Sequence, residues 1–115
     1  MSDVQLTGPH LTPAIALSDI PDNGLLGGHA RGKPVLLSRE GTSVWAVDGA
    51  CTHYSGPLAD GLKTGHTVRC PWHHACFDLR TGEATAAPAL RPLARWKVEQ
   101  RDGRVVVREE LPASA

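Results

Sequence analysis

The chain has 115 residues, and its charges cancel, with 12 Lys and Arg against 12 Asp and Glu. That length suits one domain with a modest core, and the charge balance argues against a basic nucleic-acid face or a polybasic membrane tether. No run of about 18 apolar residues offers a spanning helix, and Met1 to Gln5 lack the basic and apolar regions of a signal peptide, so the cytoplasm is the expected compartment.

Residues 1–13 hold two prolines and little periodicity, and read as a loose lead-in. Residues 14–20 are predicted as a first strand, stopped by Pro21-Asp22-Asn23-Gly24. Residues 25–30 and 34–39 read as a strand pair across Arg31-Gly32-Lys33. Glu40-Gly41-Thr42 marks the next turn, and residues 43–47 make a strand that Asp48-Gly49 breaks. Residues 50–80 differ, since they carry all three cysteines and four of the six histidines. They read as loops attached to the β scaffold. Residues 93–100 and 104–109 flank Arg101-Asp102-Gly103, where the Asp-Gly pair is a strong hairpin signal. Residues 111–115 read as a tail or the start of a linker. No segment sustains a helical apolar period, so the expectation is one all-β domain over residues 1–115, with a site inserted at about 50–80.

The chemistry lies in Cys51-Thr52-His53 and Cys70-Pro71-Trp72-His73, a C-x-H and a C-x-x-H separated by sixteen residues. Each arm offers one thiolate and one imidazole. A two-iron, two-sulfide cluster uses that asymmetry, taking two Cys on one iron and two His on the other. One or two intervening residues let both donors of an arm point the same way from a single tight loop. Pro71 stiffens the second arm by fixing φ, and Gly56-Pro57 and Gly61 supply turns after the first. A Cys₂His₂ zinc site is the main rival. Zinc sites commonly pair like ligands, C-x₂₋₄-C with H-x₃₋₅-H, whereas each arm here mixes Cys with His at closer spacing. The cluster is therefore favoured.

The two boxes resemble the cluster-binding boxes of the Rieske family. Gly56-Pro57-Leu58 and Gly61 resemble the run after its first box, and Cys76-Phe77-Asp78 with Thr81-Gly82 the run after its second. The similarity is sharp over residues 44–92. It implies an all-β fold, a Rieske-type antiparallel β-sandwich carrying a small loop-built cluster-binding subdomain. It also implies a [2Fe–2S] cluster on Cys51, His53, Cys70 and His73.

Other residues near the boxes carry less. His74 stands where the family usually has glycine, and the spacing selects His73 as the ligand, leaving His74 a surface histidine. Respiratory members tie their loops with a disulfide; the matching positions here are Gly56 and Trp72, so the bridge is absent. Cys76 reads as a small buried apolar residue. His10, His29 and His66 read as surface or satisfied histidines, and Trp45 and Trp96 as core. In high-potential members a Ser and a Tyr after the second box donate to the cluster. Their positions here hold Ala75 and Phe77, which cannot donate, so a low potential is expected.

The resemblance implies one-electron transfer, as a soluble ferredoxin or as the redox domain of a larger flavoprotein oxidoreductase. The second box with its tail resembles Rieske domains fused ahead of FAD- and NAD(P)H-dependent oxidoreductases. The expected partner is a redox protein or a fused FAD-dependent reductase domain. The alternatives are the ferredoxin of an aromatic-ring dioxygenase system, or a small nitrite reductase-like subunit. With His53 and His73 committed to a cluster, no His and carboxylate triad is left for an oxygenase's own iron, and no catalytic residue is assigned.

Overall fold

In the computed structural model, the described residues are 9–49, 58, 61–69, 76–86 and 93–111, and they form ten strands and no α-helix. The strands are β1 (Ile15–Ala16), β2 (Leu25–Ala30), β3 (Lys33–Glu40), β4 (Ser43–Asp48), β5 (Leu62–Thr64), β6 (Thr67–Arg69), β7 (Cys76–Asp78), β8 (Ala84–Ala86), β9 (Arg95–Arg101) and β10 (Arg104–Glu110). A six-stranded sheet runs β1-β10-β9-β4-β3-β2, and a four-stranded sheet runs β5-β6-β7-β8. Every pairing between these strands is antiparallel.

Turn chemistry sets the hairpins. Arg101 pairs with Arg104, leaving Asp102 and Gly103 as a two-residue loop at φ 53° and 75°. Positive φ at both central positions is the type I′ turn that matches strand twist. Arg31 and Gly32, at φ 52° and 77°, do the same between β2 and β3.

The apolar run Val35-Leu36-Leu37 in β3 is buried throughout because it faces two cores. Side chains alternate across a strand. Leu36 therefore joins Val47, Leu58, Val68, Phe77, Leu79 and Leu93 between the two sheets, while Val35 and Leu37 join Trp96, Val105 and Val107 on the opposite face.

Three expectations change. Of residues 14–20, only Ile15–Ala16 form a strand; a 3₁₀ turn, Leu17–Asp19, follows, and Ile20 is fully buried beyond it. The described part of the lead-in is tied down. The His29 N–H donates to Pro9 O at 3.0 Å, the Leu11 N–H to His29 O at 2.8 Å, and the Val107 N–H to Leu11 O at 3.0 Å. The buried Leu11 thus joins β2 to β10. Finally, the 50–80 stretch contributes strands of its own, β5, β6 and β7, each three residues long.

Candidate metal centre

The first Cys-His segment is anchored at both ends. β4 ends at Asp48, and the Gly49 N–H donates to Pro34 O at 3.0 Å. The Leu58 N–H then donates to Gly49 O at 2.9 Å, and the Gly61 N–H to Leu58 O at 2.9 Å. Leu58 is fully buried between the sheets. The residues that flank 50–57, the stretch carrying Cys51 and His53, are therefore hydrogen-bonded to each other, and one of them, Leu58, is seated in the core.

Asp48 is half-buried at the first of these ends. Its Oδ1 accepts from Trp96 Nε1–H at 3.0 Å and its Oδ2 from the Ala94 N–H at 3.3 Å, while its own N–H donates to Ala94 O at 2.9 Å. Burial pushes its carboxyl above the ordinary carboxylate value, and the Trp96 hydrogen bond works against that rise.

The second segment closes a hairpin. Arg69 on β6 pairs with Cys76 on β7, and residues 70–75 join them, carrying Cys70 and His73. On its other side Arg69 pairs with Leu62, the first residue of β5. Gly61 sits so close to this rung that a Cβ there would land against the Arg69 carbonyl oxygen. The way out of the first segment and the way into the second are thus neighbours on adjacent strands. Directly paired residues in such a ladder lie about 4.5–5.5 Å apart.

Cys51, His53, Cys70 and His73 themselves lie outside the described residues, as do Gly56, Trp72, His74 and Ala75. Among the described residues, no group of three or more His, Cys, Asp or Glu could hold a metal ion. Cys76 is half-buried rather than buried, and Phe77, the next residue, is fully buried in the core between the sheets. His66 hydrogen-bonds Glu40 Oε2 through Nδ1 at 2.7 Å, and His10 stacks on His29 with centroids 5.0 Å apart. Sequence reasoning took Asp48 as a strand breaker and Trp96 as core. Their bond joins residues 48 positions apart, and no local pattern signals it.

Two Cys and two His, on segments whose anchors are adjacent in one sheet, fit the donor set of a two-iron cluster with unlike ends. Three comparisons agree. The ferredoxin component of the naphthalene 1,2-dioxygenase system of Pseudomonas putida is 35% identical over 94 residues, 82% of this chain and 90% of that protein. Apoptosis-inducing factor 3 of Homo sapiens is 38% identical over 79 residues, 69% of this chain and 13% of that protein. The ferredoxin of carbazole 1,9a-dioxygenase from Nocardioides aromaticivorans IC177 has a similar structure, with a TM-score of 0.78 at 27% identity, covering 82% of this chain and 92% of that one. The model of the Rieske [2Fe-2S] domain matches residues 10–97. With motif, fold and relatives in agreement, the chain belongs to the Rieske [2Fe–2S] domain family.

Proposed function

We propose that Cys51 and Cys70 hold one iron of the cluster, that His53 and His73 hold the other, and that the chain works as a ferredoxin. The cluster and one-electron transfer through it follow from family membership. The ligand assignment rests on the two boxes. The single observation that best supports it is the row Leu62–Arg69–Cys76, which brings the anchors of both boxes together. When bound, the cluster supplies a site for one electron. The protein's part is to hold four donors on two segments whose flanking residues are seated on a dry core, which includes Leu58, Val68, Phe77 and Leu93.

As a ferredoxin, the chain takes an electron from a reductase and passes it to an acceptor. We propose an aromatic-ring oxygenase as the acceptor, supported by the likeness to a dioxygenase ferredoxin component across most of both lengths. The likeness to 13% of apoptosis-inducing factor 3 favours a second reading, in which this domain serves a longer protein, and the sequence motifs favour a flavoprotein oxidoreductase as that protein. In both, residues 1–115 act as one domain with the cluster held by about residues 50–80, and the cytoplasm is the proposed compartment. No helix among the described residues is long and apolar enough to cross a membrane.

Iron and acid-labile sulfide analysis tests the centre, with about two of each per chain expected. A single tetrahedral metal would overturn the assignment. Electron transfer is tested by mixing reduced protein with purified ring-hydroxylating oxygenase and following the bleached visible bands as they return.

A further inference from the structure

Asp48 ends β4, three residues before Cys51. The registered pairing of β4 with β9 covers Ala46↔Trp96 and Val47↔Arg95. At Asp48 the contact with this side of the sheet continues through one backbone bond and both carboxylate oxygens. The next residue, Gly49, is bonded to Pro34 on one side and to Leu58 on the other. A Cβ on Gly49 would lie 3.0 Å from Val35 N, so the chain here packs closely against the start of β3. The direction in which the chain leaves the sheet is therefore set at Asp48, and any displacement there passes to Gly49, whose carbonyl holds the Leu58 N–H.

A half-buried carboxylate is an expensive way to end a strand unless its oxygens are satisfied. Both Asp48 oxygens receive a donor, the indole N–H of Trp96 on β9 and the main-chain N–H of Ala94, the residue just before that strand. An acceptor pair facing two donors is a demand that few side chains meet. Asn fails it, because its amide NH₂ would face one of the two N–H groups. Ala or Leu would leave both N–H groups without their acceptor.

We infer that Asp48 is a positioning residue for the cluster: its carboxylate, held by Trp96 and Ala94, fixes the course of the segment that carries Cys51 and His53. The inference rests on the ligand set proposed above. Asp48 is not a ligand and acts only through the backbone that follows it. Groups hydrogen-bonded directly to a metal ligand typically cost about 10–100-fold in metal affinity when altered, and Asp48, one step further back, belongs at the low end of that range.

The test compares the purified parent with Asp48→Asn and Trp96→Phe. The primary readout is the rate at which the visible bands disappear in excess chelator. The second is the electron paramagnetic resonance spectrum of the dithionite-reduced protein, which a merely structural contact would not move. Asp48→Asn should lose its cluster about tenfold faster than the parent and shift its g-values, with an unchanged far-ultraviolet circular dichroism spectrum. Trp96→Phe should shift both readouts the same way. The double variant should fall short of the sum of the two singles, since the Asp48–Trp96 bond is common to both. If Asp48→Asn does not fold, Trp96→Phe decides the matter. Parent-like release rates and spectra would overturn the role of Asp48 while leaving the cluster intact. A parent without iron and sulfide would instead overturn the ligand set, and the inference with it.

Discussion

Arg69 and Cys76 stand opposite each other across β6 and β7, and that rung closes the hairpin from which residues 70–75 extend. Arg69 is also paired with Leu62, where the chain returns from the first box. The rung is therefore common to both arms, and the fold and the cluster should depend on each other through it.

Removing a donor should show that dependence. Cys70→Ala and His73→Ala should purify colourless and melt earlier than the parent. Losing ~2 kcal/mol of metal-coupled folding energy lowers Tm by roughly 10 °C in a domain of this size. Differential scanning calorimetry on freshly purified protein measures it, and a variant melting with the parent would show that the arms stand without the cluster.

Gly61 and Gly65 should respond differently to alanine. At Gly61 the new Cβ meets the Arg69 carbonyl, a main-chain atom that cannot turn aside. Overpacking of this kind costs about 1–3 kcal/mol, and the strain falls on the rung common to both arms. Gly61→Ala should lose stability and iron together. Gly65 has φ +58° and nothing near its Cβ position. Gly65→Ala should therefore lose about 1 kcal/mol from backbone strain alone and keep its full iron content.

Asp78 gives a pH signature. Partial burial raises its carboxyl, but the side-chain and backbone hydrogen bonds from Arg80, with the guanidinium charge, outweigh that and hold it below the ordinary 3.8. A carboxyl depressed in the folded state adds stability above its unfolded value and loses it as pH falls through the folded value. The Tm gap between the parent and Asp78→Asn should thus be complete by about pH 5 and shrink as pH drops below 3.8. The pair is near the surface, so the gap should be small and should narrow in high salt. A gap that widens towards low pH would contradict the assignment.

The midpoint potential should lie near the low end of the Rieske range, on the order of −150 mV. Ala75 and Phe77 offer no donor to the sulfurs, and the positions of a bridging disulfide hold Gly56 and Trp72. The midpoint should also be flat with pH near neutrality. Protein-film voltammetry on the parent and on an Ala75→Ser, Phe77→Tyr double variant tests both points. Phe77 is fully buried among apolar side chains, so an added hydroxyl has little water to turn to and depends on an acceptor inside the protein. The double variant should have the higher midpoint. A high parental midpoint falling steeply with pH would sink the low-potential reading.

Much of this was written in local pattern. Strand β2 was predicted at its observed bounds, and Asp102-Gly103 was identified as a hairpin turn, because turn residues and period-two alternation act within a few positions. Strands β5, β6 and β7, at three residues each, are too short to show a period. Their pairing is set by the hairpin at Gly65-His66 and by Val68 and Phe77 in the core. The Rieske boxes were legible because cluster chemistry fixes residue type and spacing together. The supports around them were not. Asp48 finds Trp96, and Glu40 finds His66, only after the chain has folded back on itself. The order of Pro9 to Leu11 was missed for the same reason, since its partners are on β2 and β10.

Those three residues also bear on how copies of the protein keep apart. An open sheet presents unpaired N–H and C=O groups along its outermost strands, and another molecule's strand can add there. Pro9 and Leu11 already occupy main-chain groups of His29 on the edge strand β2, and Leu11 takes the N–H of Val107 on β10, beyond the two residues that β1 covers. Gly28, where a Cβ would come within 2.6 Å of Pro9 O, lets this segment lie close enough to do so. The lead-in thus acts as a built-in stopper on the sheet's margins. A chain shortened past Leu11 would expose them, and its first symptom should be self-association and precipitation on concentration, ahead of any loss of colour.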